Sequence, residues 1–122
     1  KFYSELRHWR FPIMVHSRGL SFQLLSDNWI TKFRARTFND KEPEMLDWLD
    51  ENLQDGDVFF DVGANIGVMS VIAAAVRGAQ VFSFEPHSEN FAVLCRNVAQ
   101  NNLGDMIQAW PVAVCDETGF GN

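Results

Sequence analysis

The sequence is poor in cysteine, in proline and in long apolar runs, and each shortage excludes a class of protein. Two cysteines in 122 residues, Cys95 and Cys115, are too few for a disulfide framework, and neither sits in a CxxC or His-linked spacing that would hold a metal. A reducing compartment, and so a cytoplasmic location, is the default expectation. The longest near-continuous apolar stretch, Val68 to Val76, is nine residues and is interrupted by Ser70, whereas crossing a bilayer takes ~18 or more. Eight glycines and four prolines exclude collagen-like and low-complexity chains. The chain opens on Lys1 rather than methionine, so the expectation is that a natural start with any targeting information lies upstream. Basic charge is also scarce: ten Lys/Arg stand against sixteen Asp/Glu, a net −6, which argues against nucleic acid as a main partner. What remains, 47% apolar and 21% charged residues, is the make-up of a folded domain.

The charge is unevenly spread. Residues 1–36 carry seven Lys/Arg against Glu5 and Asp27, a local +5, and residues 37–122 carry the compensating −11. From Lys1 to Arg18 the pattern is aromatic and basic without a period, and Pro12 breaks any helix through it. Leu20, Phe22 and Leu24 then alternate with polar neighbours, Ser26-Asp27-Asn28 offers turn chemistry, and Trp29, Thr31, Phe33, Ala35 and Thr37 alternate again. This predicts a β-hairpin whose second strand carries Lys32, Arg34 and Arg36 on one face. That row could meet an acidic substrate, with Trp9, Trp29 and Phe33 stacking on a sugar; a solvated, protective edge is the favoured reading. Docking of the basic arm on the acidic remainder, as a lid, is a further alternative.

Downstream, Asn39-Asp40 offers an N-cap, Pro43 suits a first turn, and Met45, Leu46, Leu49 and Leu53 recur at helical spacing up to Asp55-Gly56-Asp57. Val58-Phe59-Phe60 then predicts a strand buried on both faces, ending at Asp61. A helix from Val68 to Arg77 stops at Gly78, and a second buried strand, Val81 to Phe84, ends at Glu85-Pro86. Phe91, Leu94, Cys95 and Val98 mark a further helix, and Ile107 to Val114 a third strand in which Pro111 limits pairing. Strand, helix, strand, helix, strand is the first half of a doubly wound α/β sheet.

The chemistry concentrates in Asp61-Val62-Gly63-Ala64-Asn65-Ile66-Gly67. A glycine-bearing turn between a strand and a helix lets a ligand approach backbone, and the helix N-terminus supplies unpaired amides. A dinucleotide fingerprint counted from Gly63 would need glycine at 65 and 68, where Asn65 and Val68 stand. Asp61 would also repel a pyrophosphate. S-adenosylmethionine carries a sulfonium and an ammonium against one carboxylate, so a site with two acids suits it better. The second acid, Glu85, lies eighteen residues past Gly67 at the end of the next strand, where this topology places a carboxylate beside a nucleoside ribose.

These residues, Asp61 to Gly67 followed by Phe84-Glu85-Pro86 with Asn90, Leu94 and Asn97, resemble the FkbM family of S-adenosylmethionine-dependent methyltransferases. The lead-in Arg36-Thr37-Phe38 through Lys41-Glu42-Pro43-Glu44 to Trp48-Leu49-Asp50 resembles one branch of it. The resemblance runs from about residue 20 to the end and implies a class I methyltransferase-like, Rossmann-like α/β fold. It also implies transfer of a methyl group to a hydroxyl of a sugar or other small molecule. Carried over by position, Gly63, Ala64, Asn65 and Gly67 would meet the methionine part of the cofactor and Asp61 its ammonium. Glu85 would hold the ribose, and Pro86 would flank the adenine with Val112 or Ala113 opposite. Glu44 is expected to help shape the site.

On this reading residues 1–19 are an arm of undetermined structure. Residues 20–122 are a hairpin, a lead-in helix and the N-terminal half of a methyltransferase domain, truncated at its C-terminus and inactive alone. No catalytic residue is assigned. His87, the one histidine near these motifs, is read as a surface loop residue. The alternatives are a nucleotide- or NAD(P)-dependent oxidoreductase half-domain and a non-catalytic nucleoside-binding remnant.

Overall fold

The computed structural model describes residues 12–25 and 29–119. Most of the basic arm, the Ser26-Asp27-Asn28 turn and residues 120–122 lie outside them. Two strands, β1 (Ile13–Ser17) and β2 (Leu20–Leu24), pair antiparallel, with Ile13 opposite Leu24 and Ser17 opposite Leu20. The turn between them uses left-handed backbone at Arg18 and Gly19, the geometry a two-residue hairpin needs to match strand twist.

The hairpin therefore lies one strand earlier than the alternation predicts. Trp29 to Lys41, read as its second strand, is a helix, α1 (Trp29–Lys41). The residues that alternate there are largely not the buried ones. Trp29 and Phe33 are exposed, whereas Ala35 and Phe38, three apart, enter the core, and that spacing is helical. The proposed cationic row is thereby undone, because positions two apart on a helix point ~200° from each other. Asn39 is no N-cap either: its side-chain amide donates to the His16 carbonyl and accepts from the Ser17 hydroxyl, each at 2.8 Å, tying α1 to β1.

After Glu42 the chain turns into α2 (Pro43–Asn52), with Pro43 in the first turn, where its missing N–H costs nothing. Leu46 and Leu49 face inward. Arg18 from the hairpin turn bridges Asp47 and Asp50 on this helix. Then follow β3 (Val58–Val62), α3 (Val68–Arg77), β4 (Gln80–Phe84), α4 (Ser88–Gln100) and β5 (Ile107–Trp110). The three strands form a parallel sheet in the order β3-β4-β5. Val62 lies beside Phe84, and Phe84 beside Trp110, so the C-terminal ends of all three are level. The third strand stops at Trp110, short of the expected Val114, because Pro111 cannot donate to the ladder.

One face of this sheet is packed and the other is not. Phe59, Val81 and Ile107 are buried beneath α3 and α4, with Val71, Ile72, Val93 and Leu94. Val58, Phe60 and Val62 alternate with them and are more than half exposed, at 58, 64 and 59%. The expectation that β3 is buried on both faces does not hold within this chain. Phe60 instead sits edge-on to Phe82 and Phe84, with ring centroids 5.4 and 6.1 Å apart.

Two asparagines hold the hairpin on α4. Asn97, fully buried, accepts from the Leu25 amide (2.6 Å) and donates to the carbonyls of Leu25 (3.2 Å) and Ile66 (2.8 Å). One turn on, Asn101 accepts from the Gln23 amide (3.0 Å) and donates to the Gln23 carbonyl (2.7 Å). Four residues along a helix rise ~6 Å and two along a strand ~6.6 Å. The two side chains therefore imitate a neighbouring strand, each satisfying one N–H and one C=O of the β2 edge and its exit.

Candidate functional site

The site forms where the level strand ends meet the loops that follow them, the position at which open α/β sheets bind ligands. Asp61 is the penultimate residue of β3. Its Oδ2 accepts from the Ser70 hydroxyl at 2.6 Å, and Ser70 lies 2.6 Å from the Ser83 hydroxyl. Both serines are wholly buried. Because Ser70 gives its one proton to Asp61, Ser83 must donate to Ser70, so a directed chain of hydroxyls from α3 and β4 fixes the carboxylate. Burial raises the Asp61 pKa above its ordinary value; hydrogen bonds from the Ser70 hydroxyl and backbone oppose the rise, and the Glu85 charge adds to it.

The turn between β3 and α3 is left-handed at Gly63, Asn65 and Gly67 (φ 76, 54 and 90°). Its amides are used internally. Those of Gly63 and Ala64 both donate to the Phe84 carbonyl (2.9 and 3.0 Å), that of Asn65 to Glu85 Oε2 (2.8 Å), and that of Gly67 to the Ala64 carbonyl (2.8 Å). β4 and the turn itself thus consume the amides at these four positions, which leaves the N-terminus of α3 beyond them as the place where the expected unpaired amides would lie.

Glu85, 6% exposed, follows β4 directly. Besides Asn65, it accepts the His87 amide on Oε1 at 2.9 Å. Each carboxylate oxygen has a second acceptor site left, so the residue can pin the turn and still receive hydroxyls. His87 is exposed at the head of α4, in keeping with a surface loop residue.

Thr37, Phe38, Lys41, Glu42 and Met45 of the α1–α2 junction face Asp61, Gly63, Ala64, Asn65, Ile66, Val68 and Met69 across a cleft of about 430 Å³. That volume is of the size that takes small ligands. Sequence reasoning assigned Asp61, Gly63, Ala64 and Asn65, and all four line it. It missed Ser70 and Ser83, whose signal was a small polar residue inside each of two otherwise apolar elements. It also missed the junction residues: Glu42 lines the cleft, whereas Glu44 lines a shallower groove beside it. Pro86 and Ala113 are exposed and do not line the cleft.

Gly67 does not line it either. A Cβ there would lie 2.4 Å from Cδ1 of Leu94, a fully buried side chain, whereas a Cβ on Gly63 would meet nothing within 4 Å. Gly67 is thus a glycine of helix packing, whereas Gly63 has open space beside it at the cleft. Gly67→Ala adds the clash with Leu94 to the strain of a left-handed backbone and should lower the unfolding midpoint by about 10 °C or more, whereas Gly63→Ala carries the strain alone, about 1 kcal/mol or a few degrees. Thermal denaturation of the two variants side by side checks this; equal losses would contradict the assignment.

The fold is the Rossmann-like α/β architecture of class I methyltransferases. The chain superposes on P. horikoshii TYW2 in complex with MeSAdo with a TM-score of 0.64 and 22% identity, over 88% of this chain and 38% of that one. It superposes on an RNA methyltransferase from Salinibacter ruber in complex with S-adenosyl-L-homocysteine with a TM-score of 0.53 and 21% identity, over 58% and 45%. In sequence it is similar to the 31-O-demethyl-FK506 methyltransferase FkbM of Streptomyces tacrolimicus, 40% identical over 68 residues, in line with the resemblance read from the motifs. No family model matches the chain. It spans about a quarter of the length of that curated relative (25%) and less than half of either structure.

Proposed function

We propose that the chain binds S-adenosylmethionine and supplies the cofactor-binding half of a methyltransferase that acts on a hydroxyl of a sugar or other small molecule. The observation that carries this reading is the engaged turn. A pyrophosphate needs free amides at this position, and the amides of Gly63, Ala64 and Asn65 are already bonded within the chain. A cationic ligand needs acceptors instead, and Asp61 is held ready by Ser70. Asn65 fits the same ligand: its buried Oδ1 has no hydrogen-bond partner among the described residues, an arrangement that folded proteins rarely leave unsatisfied.

Asp61 would face the ammonium end, Gly63 would leave room for it, and Glu85 would accept the ribose hydroxyls beside its bonds to Asn65 and His87. Pro86 and Ala113 would border the adenine. The bound group supplies an electrophilic methyl on a sulfonium, and what these residues contribute is placement. The relative named as a 31-O-demethyl-FK506 methyltransferase supports a hydroxyl acceptor. An RNA methyltransferase shares the fold, but the net charge of −6 disfavours a polyanionic acceptor.

Isothermal calorimetry with S-adenosylhomocysteine and with NADH tests the reading. Binding of the first and not the second is expected; binding of NADH alone would replace it with the oxidoreductase alternative.

A further inference from the structure

The cleft contains a cation that the roles above do not use. Among the described residues lining it, Lys41 alone is positively charged, and it stands against Asp61 and Glu42. Lys41 ends α1. Its Nζ lies over the Phe33 ring, 4.5 Å from the centroid, and such a cation–π contact steadies a long side chain without neutralising it. Next to it, Glu42 caps α2 by position but makes no side-chain capping bond, so its carboxylate is not committed to the helix amides. The junction of α1 and α2 therefore brings one positive and one negative side chain to the wall opposite the turn.

A ligand with a single charge would leave one of these two opposed. The amino-acid end of the proposed cofactor, with an α-ammonium and an α-carboxylate on one carbon, matches both signs. We infer that the α1–α2 junction is the amino-acid subsite of the cleft: Lys41 Nζ donates to the α-carboxylate, while Asp61 and Glu42 flank the α-ammonium. Asn65 completes it. No bond from the described residues holds its Oδ1, so its terminal amide can turn to present that oxygen to the ammonium without losing a hydrogen bond there. Phe33 acts as a positioning residue through Lys41. This inference rests on the cofactor reading above and adds a segment to it, because it makes the lead-in helices part of the binding site and not only of the scaffold.

The test compares two nucleosides that differ only at this end. S-adenosylhomocysteine carries the amino-acid group and 5′-methylthioadenosine lacks it. Lys41→Met keeps the length and apolar stem while removing the charge. On the whole chain it should weaken S-adenosylhomocysteine about tenfold, the low end for a charge-assisted bond at an exposed site, and leave 5′-methylthioadenosine unchanged. Lys41→Arg should restore most of the loss. Equal effects of Lys41→Met on both ligands, or none on either, would overturn the subsite while leaving the cofactor reading standing. If the unsubstituted chain binds neither nucleoside, the cofactor reading itself fails and this inference falls with it. Circular dichroism of the variant, expected to match that of the parent, separates a lost contact from a lost fold.

Discussion

Asn97→Leu should destabilise the protein more than any other single polar substitution in α4. Leucine has the same number of side-chain heavy atoms and the same branching, so no cavity is left; its methyls are bulkier than the amide, and overpacking adds to the lost hydrogen bonds. Those bonds serve the Leu25 amide and the carbonyls of Leu25 and Ile66. Each buried backbone group left unpaired costs about 1–3 kcal/mol, so a total of about 3–9 kcal/mol is expected for the three, a large share of the about 5–15 kcal/mol that holds a small domain together. The unfolding midpoint should fall by more than about 10 °C. Asn101→Leu should cost less, because Asn101 is only partly buried and its partners on Gln23 are nearer to water. Urea titration of both variants decides the matter, and a loss below about 1 kcal/mol at Asn97 would show that these bonds exchange with water freely. Because Asn97 also grips Ile66, its loss should loosen the turn that lines the cleft.

Asp61→Asn should move stability and cofactor affinity in opposite directions. The Asp61 carboxyl has its pKa raised in the folded chain, chiefly by burial. A raised acid favours the folded state below its unfolded pKa, and that contribution is lost as pH rises through the folded pKa. At neutral pH the ionised group therefore costs stability. The asparagine variant should melt higher than the parent at pH 7, with the difference shrinking as pH falls toward the ordinary carboxylate range. Binding runs the other way. A cationic ligand favours the ionised carboxyl, so the parent's affinity should fall as pH is lowered through the raised pKa. The variant should bind about 10–100-fold more weakly at neutral pH, the range for a lost charge-assisted bond, with that pH dependence absent. Calorimetry across acid to neutral pH reads both quantities. A variant that binds as well as the parent would remove Asp61 from the site.

The elements after Pro43 were legible because each has one dominant signal. Leu46, Leu49 and Leu53 keep helical spacing and Gly78 stops α3 in left-handed backbone, whereas β5 ends at Trp110, four residues short of the expected Val114. The segment from Trp29 to Lys41 was not legible, because its aromatic residues at 29 and 33 are solvent-facing and so carry no information about the core. Among the side chains described there, Ala35 and Phe38 are the buried ones, and they do not reinforce the alternation. Of the residues that line the cleft, Asp61 and Gly63 could be read because their chemistry is tied to a strand end; Glu85, read on the same ground, is buried behind the turn and does not line it. Lys41 and Glu42 could not be read, since what brings them to the cleft is the angle between two helices, a tertiary property that leaves no local pattern. The packing role of Gly67 was hidden for the same reason: Leu94, the side chain that forbids a Cβ, is twenty-seven positions away in the sequence.

The bare side of the β3-β4-β5 sheet has a practical consequence. Phe60, Phe82 and Phe84 form a small aromatic terrace flanked by Val58, Val62 and Trp110, and parallel sheets are ordinarily covered on both sides. At the concentrations used for calorimetry or crystallisation that terrace is the first place where two copies of this chain would stick, with β3 also offering an unpaired edge. A charged residue at position 60, which touches neither Asp61's serine partners nor the cleft, is therefore the substitution to make first when preparing the chain for measurement.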